Sequence, residues 1–384
     1  MGRTTSLRRV LSADGIFVAA NLLAGGFNYL YQVVASRELS AQEFSDLNAW
    51  YAHLAIFFML GGLLQYTSNF YPARRGTLKA AVITSNLLLF LFFWAWTATE
   101  PKLSVERGVF IVLTAMASGW LMGQLQIRQR FAALATANFV LAASRLGWLW
   151  SPWPSDSPLE HFSLALLFGF APAFWVMSFY LWSARDVSLK TSQRRAAWLG
   201  PLVLSGAGAL MPQLDLLVMH YTQAPEAFTE FARASLFYKA IYFLLFIVAQ
   251  LALPKQLHGQ ISRGVLSRFP TLAFGALAGS AILAALSPAF SRHLLGWGAA
   301  PDSQIVFLSC LHMSLLTLIF FWIQEQCARH KPGAASAPLV ALGIEALAQW
   351  GLRLPIEPYL YSVIGVQSAL LVLIWRRAQA RASS

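Results

Sequence analysis

Residues 28–47 read NYLYQVVASRELSAQEFSDL. An apolar run closes on Arg37, a short turn carrying Glu43 follows, and Phe44 and Leu47 open a new apolar run. Residues 212–231, PQLDLLVMHYTQAPEAFTEF, repeat that plan in the second half of the chain. At an offset of 184 residues (214 less 30), Leu30 pairs with Leu214, Val34 with Val218, Phe44 with Phe228 and Asp46 with Glu230. Each stretch ends one span, turns through acidic residues and starts the return. The offset carries a first apolar span onto a seventh with the same direction, which describes a parallel repeat about an axis along the membrane normal.

Composition fixes the solvent for these spans. Of the 384 residues, 57% are hydrophobic and 11% charged, with a mean hydropathy of +0.56. A soluble domain carries about 25% charged residues, so this chain lacks the polar surface to cover a water-facing core. Apolar segments of about 17–25 residues are long enough to cross the hydrocarbon layer as helices. They fall near 14–36, 46–70, 78–98, 108–126, 131–150 and 161–183, and again near 197–219, 229–253, 269–289, 304–325, 336–352 and 358–375. The expected fold is an all-α polytopic transmembrane bundle, about twelve spans in two pseudo-symmetric six-helix lobes. The lobes are residues 1–190 and 191–384, with a basic linker near 184–195.

The net charge of +12 follows the same map. Twenty of the 28 Lys and Arg lie in alternate connections, among them Arg74, Arg75, Arg194, Arg195, Lys255 and Arg376. The opposite connections hold only Arg37, Lys102, Arg107, Arg292 and Arg353. Basic loops stay inside, so both termini are expected in the cytoplasm and the chain in the cytoplasmic (inner) membrane. Short clusters between apolar runs are unlike the basic face of a nucleic-acid-binding domain. The apolar run after Arg9 outlasts a signal peptide and has no small-residue cleavage site, so it reads as a retained first span. Cys310 and Cys327 are 17 residues apart (327 less 310) on one helix and its end, out of reach of each other. No connection exceeds about 15 residues, which leaves little outside the bilayer for enzyme chemistry. No Walker loop, HExxH pair, metal-ligand spacing or nucleophile–base pair is present. The chain reads as a transporter rather than an enzyme, with no metal and no cofactor.

The first stretch, Tyr31 through Arg37 and Leu39 to Glu43 and Phe44, resembles the span-one signature of the O-antigen and polysaccharide flippases. Those belong to the superfamily that also holds the MATE drug exporters. Asp215 through Pro225, Glu226 and Phe228, and Pro254-Lys255 after span eight, are similar to the second-half counterpart. Ser45 and Thr229 depart from it, standing where the family usually has Gly. The resemblance implies alternating access between two six-helix bundles. The cargo it implies is an oligosaccharide on a polyprenyl pyrophosphate, with membrane lipids and polysaccharide-assembly proteins as partners and no nucleic acid. Cation-coupled multidrug export on the same fold is the alternative.

Ionisable residues inside spans are expensive and mark function by default. Arg145, Asp215, Arg233, Lys239 and Glu345 lie within the expected spans, and Arg37 ends the first. Lys239, Arg233, Arg145 and Arg37 are the candidates for an anionic head group; Asp215 and Glu345 are those for a coupling H⁺ or Na⁺. Asp215 and Arg233 sit at similar depth, so a structural salt bridge between them competes with both roles. Lys239 is about 9 Å deeper along its helix. Gly119-x-x-x-Gly123 and Gly275-x-x-x-Gly279 are expected to admit close helix packing, and His53 and His312 to serve as packing residues. Pro172, Pro201, Pro212 and Pro288 are candidate breaks in their spans.

Overall fold

The computed structural model describes residues 13–70, 76–84, 105–152, 158–182, 199–209, 211–257, 269–297, 300–329 and 332–382. Among these residues the structure is helical, with no strand. In chain order the helices are α1 (Ala13–Glu38), α2 (Ala41–Phe70), α3 (Val105–Ile127), α4 (Phe131–Trp148), α5 (Pro158–Phe168), α6 (Phe170–Trp182) and α7 (Leu199–Ala209). They continue with α8 (Met211–Thr222), α9 (Pro225–Leu257), α10 (Phe269–Phe290), α11 (Ser303–Ala328), α12 (Pro332–Leu352) and α13 (Ile356–Ala382). A further helical stretch covers 76–84. Most of the third expected span, the basic linker near 184–195 with the half boundary at 190/191, and the basic N-terminal residues lie outside the described residues.

Helix ends follow local chemistry. Ser40 and Glu43 form a reciprocal cap at the start of α2. The Ser40 backbone N–H donates to Glu43 Oε2 at 2.9 Å, and the Glu43 N–H to Ser40 Oγ at 3.3 Å. The Ser40 N–H first, and its hydroxyl second, hold the Glu43 carboxyl below its usual range. Asp302 caps α11 by accepting from the Gln304 N–H at 2.6 Å. The expected sixth span is two helices broken at Gly169, and the seventh is α7 followed by α8. Pro172, Pro201 and Pro212 each sit in a first turn, where a missing N–H is harmless. Pro288 lies inside α10, which passes into a π-helical turn, Ser291–Leu295, closed by Gly296 at φ 68°.

The repeat has a structural counterpart. Helix α1 ends at Glu38 and α8 at Thr222; α2 starts at Ala41 and α9 at Pro225. Each pair is again 184 residues apart (222 less 38, 225 less 41). The turn hydrogen bonds repeat as well: Leu39 N–H to Ala35 C=O and Gln223 N–H to Met219 C=O, both 3.0 Å. Phe44 N–H to Ser40 C=O at 2.9 Å matches Phe228 N–H to Ala224 C=O at 3.0 Å.

Packing divides the chain into two compact units that cut across the sequence halves. One comprises Met1–Tyr31 with Ile56–Ser205, the other Gln32–Ala55 with Gly206–Ser384. In the first, α4 packs against α3, α5 and α6. Gly119 and Gly123 of α3 lie against the backbone of Gly61 and Gln65 in α2, leaving no room for a Cβ. In the second, α11 is the central helix, packed by α9, α10, α12 and α13. Its apolar window is 83% buried, against 17% for α10 and 28% for α12. A helix apolar all round belongs in the middle of a bundle. The flanking helices present Phe274, Ile282, Ile344, Leu347 and Leu373 outward, as a lipid-facing surface requires.

Four described helices are long and apolar enough to cross a membrane singly: Thr271–Leu295, Ser303–Ala328, Ala335–Leu352 and Ile356–Arg376. Two helix pairs, within α2 and across α7–α8, raise that number to six. One packing expectation fails. Gly275 and Gly279 have open space where a side chain would stand, because α10 turns that face outward.

Gly119→Leu forces two backbones apart and is expected to destabilise the first unit by about 1–3 kcal/mol or more. Gly279→Leu meets nothing and leaves stability unchanged. Size-exclusion profiles of heated, detergent-solubilised protein separate the two.

Candidate functional site

Four helices of the second unit bring polar side chains to one buried point. Asp215 enters from α8, His312 from α11, Glu345 from α12, and Tyr359 and Gln367 from α13. Asp215 is 3% exposed, His312 2%, Tyr359 3% and Gln367 0%. Both carboxylate oxygens of Asp215 are occupied. His312 Nε2 lies 2.7 Å from Oδ2, and the Tyr359 hydroxyl donates to Oδ1 at 2.6 Å. The His312 contact needs one proton between the two atoms, carried by the imidazole or by the carboxyl.

The far side of the cluster is unfinished. Glu345 Oε1 is buried without a hydrogen-bond partner. Gln367 lies beside His312, yet neither His312 Nδ1 nor the Gln367 amide atoms complete a hydrogen bond of ordinary geometry. These groups border a small cavity with Leu214, Leu316 and Leu342. Unpaired polar atoms in a buried place are costly, and a polar cavity of this kind suits a water molecule or a small cation. It is far too small for an organic cargo. No group of three or more His, Cys, Asp and Glu side chains able to hold a metal ion occurs among the described residues.

Asp215 and Glu345, the two carboxylates singled out in the sequence, line the same cavity. The Asp215–Arg233 salt bridge that competed with those roles is not formed. Asp215 is turned toward α11 and α13, while the Arg233 guanidinium lies over the Trp297 ring, 5.1 Å from its centroid. Equal depth in two neighbouring helices leaves the azimuth of each side chain open, and the azimuth decides the partner.

Lys239 is 7% exposed and donates to Asn48 Oδ1 at 2.6 Å. Arg37 is exposed and reaches the His293 carbonyl at 3.5 Å. Arg145 lies in the other unit and donates to Asn28 Oδ1 at 2.9 Å. Of the four cationic candidates, Lys239, Arg233 and Arg37 belong to the second unit and Arg145 to the first.

His312, Tyr359 and Gln367 were not among the sequence candidates. A histidine on a helix buried all round was the available signal for the first, since an imidazole there must find a partner. Tyr359 opens its span, where a tyrosine equally suits the interface, whereas Gln367 is mid-span and its polarity was the available signal.

No family model and no curated protein matches the sequence. Two solved structures share its fold over nearly the whole chain. An outward-facing multidrug resistance MATE family transporter of the MOP superfamily is similar at a TM-score of 0.59 and 11% identity, covering 97% of this chain and 95% of its own. The eukaryotic MATE transporter AtDTX14 is similar at a TM-score of 0.55 and 12% identity, covering 100% and 99%. The chain thus has the all-helical, multi-span fold of MATE transporters.

Tyr359→Phe removes one donor from a buried carboxylate and is expected to destabilise the fold by about 1–3 kcal/mol. His312→Ala acts on the same group, so the double variant departs from the sum of the two by about 0.5–3 kcal/mol. Thermal unfolding of the four proteins measures the coupling.

Proposed function

We propose that the chain is an ion-coupled membrane transporter that moves a polyprenyl-pyrophosphate-linked oligosaccharide across the cytoplasmic membrane by alternating access. The observation that carries the coupling is the Asp215 cluster. It holds a carboxylate, an imidazole sharing one proton with it, and a second carboxyl, all beside a cavity of ion size. A site of this kind takes up and releases H⁺ or Na⁺ as its surroundings change. The MATE-type fold supports transport as the activity.

The cargo reading rests on the span-one and span-seven signatures and on Lys239. Its hydrogen-bond partner, Asn48, is a neutral amide, which does not cancel an ammonium charge. An anionic head group crossing the hydrocarbon layer needs such a charge. Multidrug export is the second reading: the first solved neighbour is a multidrug resistance transporter, and a cationic drug would meet the carboxylates Asp215 and Glu345.

Complementation of a deletion strain decides between them. The expected outcome is that the deletion accumulates lipid-linked oligosaccharide on the cytoplasmic side, and that normally expressed Asp215→Asn and Lys239→Ala fail to clear it. A deletion that accumulates none and becomes sensitive to cationic dyes replaces the flippase by the drug exporter.

A further inference from the structure

The cation-poor set of connections holds Arg37, Lys102, Arg107, Arg292 and Arg353. Two of these, Arg37 and Arg292, come to the same place, the π-helical turn Ser291–Leu295 that ends α10. Arg37 Nη2 reaches the His293 carbonyl at 3.5 Å, and its Nε lies 4.0 Å from where a Cβ on Gly296 would stand. Trp297 then joins the turn to two other helices. Its indole N–H donates to the Ser36 carbonyl of α1 at 3.2 Å, and the Arg233 guanidinium of α9 lies over its ring, 5.1 Å from the centroid. Guanidinium groups from α1, α9 and the end of α10 therefore gather around residues 291–297, all within the second unit. The His293 side chain is exposed beside them.

Most of the hydrogen-bonding capacity of this group is unused. A guanidinium carries five N–H donors. Arg37 gives one to a carbonyl, while Arg233 and Arg292 form no hydrogen bond or ion pair with a described residue. The neighbouring acids are turned to backbone groups instead. Glu230 accepts from the Asp302 N–H at 3.3 Å, and Asp302 from the Gln304 N–H at 2.6 Å. Glu38, exposed next to Arg37, makes no ion pair with it. Planar donors that face no carboxylate suit a phosphate, which takes paired N–H groups from arginine. The indole beneath Arg233 fixes the plane of one of them, and π-helical turns recur at functional sites.

The surface of α10 below the turn distinguishes a lipid phosphate from a free one. The α10 span is the least buried of the four single spans, at 17%. Gly275, Gly279, Ile282 and Leu286 follow one another at helical spacing, with Ile282 59% and Leu286 57% exposed. Gly275 and Gly279 have nothing within 4 Å of an added Cβ. Between exposed Phe274 and Ile282 they leave a shallow trough. Gly279 lies 12 residues before Ser291 (291 less 279), about 18 Å along the helix. The hydrocarbon of one leaflet is about 15 Å deep, so an acyl chain anchored at the turn reaches the trough. A free phosphate has no use for it.

We propose that residues 291–297, with Arg37 and Arg233, bind the phosphate of an anionic phospholipid whose acyl chain lies in the Gly275–Gly279 trough. Basic residues at the end of a membrane helix recognise anionic head groups in this way. Arg37 and Arg233 then hold a lipid of the bilayer rather than the head group of the cargo. The site needs a chain that spans a membrane and is the same for either cargo.

Native mass spectrometry of the full chain in detergent, titrated with phosphatidylglycerol, phosphatidylcholine or inorganic phosphate, tests this. The parent is expected to bind one phosphatidylglycerol more tightly than the next, and more tightly than phosphatidylcholine. Arg37→Gln and Arg292→Gln should each weaken that first binding about fivefold, and the pair together about thirtyfold. Gly279→Leu fills the trough and should weaken it about fourfold, the worth of one buried methylene. Lys79→Gln, in the other unit, should leave it unchanged. If the double arginine variant does not elute as a single species, Gly279→Leu decides alone.

The site is overturned if the first and later phosphatidylglycerols bind alike, if phosphatidylcholine binds as tightly, or if the substitutions leave the first binding intact. Inorganic phosphate that displaces phosphatidylglycerol at equal concentration makes this a free-phosphate site and removes the lipid. None of these readouts involves transport, so their failure leaves the proposed function standing.

Discussion

A carboxylate inside a membrane bundle is tolerated only when other groups take over the work of water. Asp215 meets that condition through His312 on one oxygen and Tyr359 on the other. Those two partners come from α11 and α13, so satisfying one carboxylate draws α8, α11 and α13 together, with α12 added by Glu345 at the same cavity. The central position of α11 follows from the same demand. Its apolar faces fill the bundle, and its one histidine is delivered to the acid. The cluster is satisfied on the Asp215 side and open on the side of Glu345 and Gln367. A half-satisfied polar network is a poor core but a good place to bind something small.

Two ways of joining helices coexist. Small residues let α2 and α3 approach until their backbones touch, a contact that suits a permanent scaffold. The Gln32–Ala55 hairpin combines buried Phe44, Leu47 and Ala52 with hydrogen bonds from Trp297 to Ser36 and from Lys239 to Asn48. Both hairpins of the repeat sit in the second unit, joined through His53 and Tyr221. The ends of α1 and α8, and the starts of α2 and α9, reproduce each other down to their turn hydrogen bonds.

Span positions were legible because hydropathy, loop charge and turn chemistry all report them. The expected segment 304–325 is α11, 336–352 is α12, and 269–289 is α10, each within a few residues. The turn at Arg37–Phe44 and its repeat could be read because Ser, Glu, Pro and Arg have fixed places at helix ends. Which way a side chain points within an apolar helix was not legible. Depth alone suggested an Asp215–Arg233 pair, whereas the two face different neighbours. Gly275 and Gly279 have the spacing of a packing motif, but α10 offers that face outward. His312 was read as a packing residue, although its partner, Asp215, lies 97 residues away on another helix. Long-range pairing of this sort leaves no local trace in an apolar pattern.

The ion-coupling role proposed for Asp215 and its neighbours requires them to exchange H⁺ or Na⁺ while buried. Infrared difference spectra of the purified protein, recorded between acidic and alkaline buffer and with or without Na⁺, test this most directly. The expected result is a carboxyl C=O band that changes with these conditions and disappears in Asp215→Asn, with Glu345→Gln altering what remains. A spectrum in which no carboxyl band responds, or in which the response survives both substitutions, would contradict it and leave the cluster as a purely structural knot.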